Sequence, residues 1–255
     1  MWIINALLVV FIIVAGSILG LYWTRNKQFL EYFREHHDVS GYTFGIIGVV
    51  YAVLLGFTVV TVQEKFNQAH QAIETESNYI TDLYRDAEVF DKETQDKIHD
   101  LLKGYVHLVL NDEWPKMANR EMSALTALQM KKIWAAYADI RPTDERESIW
   151  LSQSLSKLNE FSATRLSRLF HGNESLGPMM WVLLIVGASI TISFIFLFHV
   201  RPLWLHAIMT ASLAGLIGFM LFLIGELDQA YSGTVQVSSF SIERVQKLLE
   251  KWEKG

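Results

Sequence analysis

Apolar residues are distributed along this chain in two regimes. Near both ends they run almost unbroken for some twenty positions, and in the middle they recur every third or fourth residue among charged ones. A helix rises about 1.5 Å per residue, so roughly 20 apolar residues cross a hydrocarbon core of about 30 Å. Four stretches reach that length: Trp2 to Trp23, Gly41 to Val62, Met179 to Val200 and Leu203 to Gly225. Each is free of Asp, Glu, Lys and Arg apart from its edges, as the cost of an ion at mid-bilayer requires. Trp2, Tyr22, Trp23, Tyr42, Trp181 and Trp204 stand at the ends, where amphipathic rings prefer the headgroup zone. The first stretch lacks a basic leading region and is too long for a signal peptide, so it reads as a retained helix.

From Val62 onward the pattern changes. Val62, Phe66, Ala69, Ile73, Ile80, Leu83, Ala87 and Phe90 mark a stripe spaced by threes and fours, with Glu76 occupying one of its core slots. The second span is therefore expected to continue into a long helix packed against partners. Ile98, Leu101, Leu102, Tyr105 and Val109 mark another helix, and Leu125, Leu128, Ile133, Trp134, Tyr137 and Ile140 a third. After Arg141-Pro142, Asp144 followed by Glu147 reads as a capping box opening a helix with Leu151, Leu155, Leu158, Leu166 and Leu169. Trp114-Pro115 reads as a helix stop. The expected fold is all-α: a polytopic membrane protein with four transmembrane helices and a helical extramembrane domain between the second and third. Its parts are residues 1–62 with spans one and two, 63–178 with the extramembrane helices, 179–226 with spans three and four, and 227–255 as a tail with a short amphipathic helix.

Composition supports that division. The chain is 51% hydrophobic yet 19% charged, and the net charge of -5 leaves no basic cluster for nucleic acid. Without cysteine there is no disulfide, thiol nucleophile or Cys-ligated metal. Arg25, Lys27 and Arg34 follow the first span and Arg201 follows the third, whereas Lys65, Arg165 and Arg168 flank the other side. Lys and Arg resist translocation, so these two loops are expected on the cytoplasmic side, with both termini and the middle domain outside. A periplasm-active reporter fused after Gly255 is then expected to work and a cytoplasm-active one to be silent. The opposite pattern would invert the topology.

The run from Gly41 through Tyr42, Gly45, Gly48, Tyr51, Ala52 and Gly56 to Phe57 resembles the second span of a widespread bacterial family of bestrophin-like proteins. Tyr105 through Glu113-Trp114-Pro115-Lys116-Met117, Pro178 to Trp181, and Leu227-Asp228 with Tyr231-Ser232-Gly233 agree with it in order. Ala230 departs from it, since the family usually has proline there. The resemblance implies a homo-oligomeric ion channel, pentameric as in bestrophins, with the second span around the pore. It also implies anion conduction and a cytoplasmic soluble part, the latter against the charge count.

Within span two, Gly41, Gly45, Gly48, Ala52 and Gly56 fall on one narrow face, a small-residue pattern that lets helices approach closely. It suits packing within a subunit or between subunits. Another face, Thr43, Ile47, Val50, Leu54, Thr58 and Thr61, is apolar at its centre and hydroxyl-bearing toward both ends, as a dewetting neck would be. Glu64, Lys65, Glu226 and Asp228 lie at the outer ends of spans two and four, where rings of charge could select ions, and the acidic ones would suit cations. An Asp at 228 also suits fixing a turn. His36, His37 and Asp38 lack the converging ligands of a metal site, and His199 and His206 flank Arg201-Pro202. No catalytic motif, broken span or buried span carboxylate is present, so neither an enzyme, a cofactor protein nor a transporter is expected. The alternative to a channel is a membrane sensor or assembly scaffold with a partner-binding helical domain. The expected partners are other copies of the chain, the lipid bilayer and inorganic ions.

Overall fold

The computed structural model describes residues 2–25, 37–198 and 202–254. Among them the regular secondary structure is entirely helical, with no strand. Among the described residues four helices are long and apolar enough to cross a membrane. The chain divides into two compact units, Met1–Glu64 with Ser175–Asp228, and Lys65–Glu174 with Gln229–Gly255.

The first unit contains α1 (Trp2–Arg25), the first part of α2 (His37–Asp86), α7 (Pro178–Ile195) and α8 (Leu203–Leu227). Small residues set its close approaches. A Cβ added to Gly218 of α8 would meet Ile13 of α1 at 3.0 Å, and one on Gly187 of α7 would come within 2.5 Å of the Tyr51 ring. The Tyr51 hydroxyl donates to the Leu184 carbonyl at 3.0 Å. Ser17, Thr58, Thr191 and Thr210 donate to carbonyls four residues back, which satisfies hydroxyls carried on otherwise apolar helices.

The second unit holds the rest of α2, then α3 (Lys92–Leu108), a π-helical turn at Val109–Glu113 running into the short α4 (Trp114–Met117), α5 (Ala124–Ala138), α6 (Glu145–Asn173) and α9 (Phe240–Lys254). Its helices begin where their caps dictate. Asp91 accepts from the N–H groups of Glu93 and Thr94, Ser123 from Thr126, and Asp144 from Glu147. The Glu147 carboxylate reaches back to the N–H of Thr143. The core is built from Ile73, Ile80, Leu83, Ile98, Leu102, Tyr105, Ile133, Tyr137, Leu158 and Phe161.

Three details differ from the sequence expectation. The C-terminal segment is not a separate tail, because α9 packs on α3 and buries Ile242, Val245 and Leu249 in the core of the second unit. Leu125 and Leu128 are exposed, and α5 buries Thr126, Met130, Ile133, Ala136 and Tyr137 instead. The cap explains the rotation. Both the N–H and the hydroxyl of Thr126 are tied to the Ser123 Oγ, so a polar residue enters the core with its bonds already made. Leu166 on α6 is likewise exposed.

Candidate functional site: the second span

Between Gly41 and Val62 the long helix α2 presents three kinds of surface. One is packed inside the first unit and consists of Tyr51, Leu55, Thr58 and Val62. A second is the small-residue face, of which Gly41, Gly45, Ala52 and Gly56 are exposed and Gly48 half-buried. A Cβ added at any of the four glycines would meet nothing within 4 Å. Gly48, Ala52 and Gly56 instead border an apolar cleft of about 450 Å³, closed on its other side by Thr191 of α7 and by Leu213, Ile217 and Met220 of α8. The third surface lies roughly opposite the packed one at about 100° per residue and carries Ile46, Val49, Val53, Phe57 and Val60, all exposed.

This arrangement redistributes the residues expected to line a neck. Thr43, Val50 and Thr61 are exposed, and Ile47 and Leu54 are half-buried. Thr58 is only 4% exposed, with its hydroxyl bonded to the Leu54 carbonyl at 2.8 Å. The expectation that Thr58 faces an open lumen is therefore corrected, because it belongs to the face with which α2 meets its own bundle. Sequence reasoning passed over the Val49, Val53 and Phe57 surface. Its spacing of four was visible, but in a span where nearly every residue is apolar, spacing alone does not select a face.

At the outer ends of the spans, Glu64 is exposed and Glu226 half-buried. Asp228 is 7% exposed and occupied, its carboxylate accepting the Leu176 N–H at 2.5 Å and the Trp181 indole N–H at 3.4 Å. This corrects its placement among mouth charges. The carboxylate joins the end of α8 to the start of α7, as an Asp that fixes a turn does. His206 is buried, with a ring nitrogen 2.9 Å from the Ile195 carbonyl at the end of α7. His36, His199 and Arg201 lie outside the described residues, as do the side chains of His37 and Asp38.

In the second unit, Glu76, the acidic residue in the apolar stripe, is fully buried. Arg168 of α6, also fully buried, donates to it through Nε at 2.6 Å and Nη2 at 3.1 Å, and the Tyr105 hydroxyl donates at 2.6 Å. Glu113, brought inward by the π-helical turn, accepts from Arg168 at 3.2 Å and Arg165 at 3.1 Å. Two carboxylates thus face two guanidiniums. Burial by itself works against the Arg168 charge, but Glu76 and Glu113 outweigh it and hold its pKa well above the ordinary value. Burial, with Glu76 adding to it, pushes the Tyr105 phenol well up, so it remains a donor. The set pairs each guanidinium with a carboxylate, while the Arg165 Nε is buried without a hydrogen-bond partner among the described residues. Its geometry is that of a clamp between three helices.

Comparison with known proteins agrees with this architecture. Variants of a bacterial bestrophin homologue from Klebsiella pneumoniae superpose with TM-scores of 0.74 and 0.73. The first is 13% identical, with 100% of this chain and 99% of that one covered, and the second 11% identical, with 94% and 99% covered. A further crystal structure described as a membrane protein gives 0.70 at 13% identity, covering 98% of this chain and 97% of that one. At such identities the likeness establishes the fold. No curated protein sequence matches. The model of the bestrophin-like domain, however, matches residues 6–242, nearly the whole chain, and this protein belongs to the bestrophin-like family.

Proposed function

We propose that this protein is a homo-oligomeric ion channel in a bacterial inner membrane, with α2 surrounding the conduction axis. The observation that carries the reading is the pair of unfilled surfaces on α2: a row of glycines at which an added Cβ would meet nothing within 4 Å among the described residues, and an exposed row of branched and aromatic residues turned away from the packed face. In a closed ring of identical subunits, each subunit's bundle lies outward of its axis helix. The face opposite the packed one then points to the centre. That face is Val49, Val53 and Phe57, flanked by Ile46, Val50 and Val60, and it forms a hydrophobic neck of the kind that gates by dewetting. The glycine face and its apolar cleft lie to one side, where a neighbouring subunit fits. Thr43 and Thr61, also exposed, lie on the flank that carries Val50, near the two ends of the span.

Membership of the bestrophin-like family supports the same reading, since bestrophins conduct through their second span. Their anion preference extends to this chain as a proposal, against which the exposed Glu64 and half-buried Glu226 would favour cations. The unit formed by residues 65–174 and 229–255 is proposed as the extramembrane domain. The Lys and Arg of the two short loops support an outside location for it, the assignment that the reporter fusions test.

Purified protein in planar bilayers tests the function directly. Unitary currents are expected, and their absence would favour the scaffold reading. Substituting Gly48→Leu fills the interfacial cleft with a bulky chain and is expected to lower the oligomer fraction in detergent, read by cross-linking or native mass. An unchanged oligomer would separate the glycine face from assembly.

A further inference from the structure

We propose that a groove in the second unit, between the later part of α2 and α9, binds a small zwitterion of the α-amino-acid class. The groove has a volume of about 520 Å³, within the range of small-molecule sites. One wall is α2, with Glu74, Ser77 and Asn78, and the other is α9 and its approach, with Ser238, Ser241 and Arg244.

The charges select the ligand. Glu74 stands on one wall and Arg244 on the other, so a simple anion would gain Arg244 but meet Glu74, and a simple cation would do the reverse. A molecule carrying both charges satisfies both walls, with guanidinium bound to carboxylate and carboxylate to ammonium. His70 lies 3.4 Å from one Glu74 oxygen, which leaves the second oxygen for the ligand. The hydroxyl and amide groups between the charged ends suit a polar side chain, and Phe240, 65% exposed, provides an apolar rim.

Ser77 supplies an independent indication. Along the same helix Thr58, Thr61 and Thr81 each donate to the carbonyl four residues back. Ser77 does not. It is 5% exposed, its Oγ is buried without a hydrogen-bond partner, and it sits on the groove wall. A polar atom held dry and unbonded in a residue that lines the groove marks a position where a ligand's donor or acceptor completes the site.

The proposal is independent of conduction and is tested on the full-length protein in detergent. L-glutamine is titrated calorimetrically and by its effect on the unfolding temperature, alongside 4-aminobutanamide, which lacks the carboxylate, and glutaramate, which lacks the ammonium. Saturable binding of glutamine, with both analogues weaker by about tenfold or more, is the expected result. Arg244→Gln and Glu74→Gln are each expected to weaken it by about tenfold as well. Ser77→Ala is expected to raise the unliganded unfolding temperature, because it removes a buried hydroxyl that bonds nothing, while reducing the rise produced by glutamine. No heat and no stabilisation up to about 10 mM glutamine would overturn the proposal, as would equal binding of the two analogues. Efficient cross-linking of Ser241→Cys between subunits would also overturn it, by assigning the groove to a second copy of the chain.

Discussion

Replacing Arg168 with methionine is expected to destabilise the second unit by about 3 to 5 kcal/mol, a large fraction of the stability of an ordinary domain. The side chain is fully buried and serves both Glu76 and Glu113, which are also fully buried. Removing it leaves two carboxylates facing each other in the core with only Tyr105 and Arg165 as donors. The cost arises from those uncompensated charges more than from the loss of the pair itself. Combining Arg168→Met with Glu76→Gln removes one of the stranded charges, so the double variant is expected to be more stable than Arg168→Met alone. Thermal unfolding of the purified protein, followed by circular dichroism in detergent, gives both midpoints. A single variant that unfolds at the wild-type temperature would mean that water reaches the carboxylates.

The second large effect is expected at the neck. Phe57→Ser places a hydroxyl in each subunit at the ring that the proposal puts on the axis, which wets an apolar constriction. Basal conductance is expected to rise by roughly tenfold or more, corresponding to about 1.4 kcal/mol or more taken off the conduction barrier. Assembly is expected to persist, because the glycine face is untouched. Leu54→Ser is the control that separates the two faces. Leu54 is half-buried beside Thr58, on the flank that α2 turns toward its own bundle, and its replacement is expected to change conductance far less. Single-channel recordings of the two variants decide the matter. If Leu54→Ser opens the channel and Phe57→Ser does not, the axis lies on the Thr43, Ile47, Val50 and Leu54 face, and Phe57 faces lipid.

The sequence by itself determined the membrane class of this protein. Uncharged runs long enough to cross a bilayer have few other uses, and their lengths depend only on helical rise and hydrocarbon thickness. It also indicated helices in the second unit, since apolar spacing and the Asp144–Glu147 cap are local, and it exposed Glu76 as a polar residue in a core position. What it could not supply were the partners. Nothing in the spacing of Glu76 indicates that its counter-ion is Arg168, 92 residues away, or that a π-helical turn carries Glu113 inward to complete the pair. Orientation within the second span was also beyond it, because periodicity distinguishes faces only when their polarity differs, and in a span apolar on every side the packing alone chooses. Tertiary structure made that choice through contacts distant in sequence, Tyr51 against Gly187 foremost, and turned Thr58 inward and Phe57 outward. For the same reason Asp228, a charge at a span end in the sequence, became in the fold a bonded corner: only the folded chain brings the Leu176 N–H to its carboxylate.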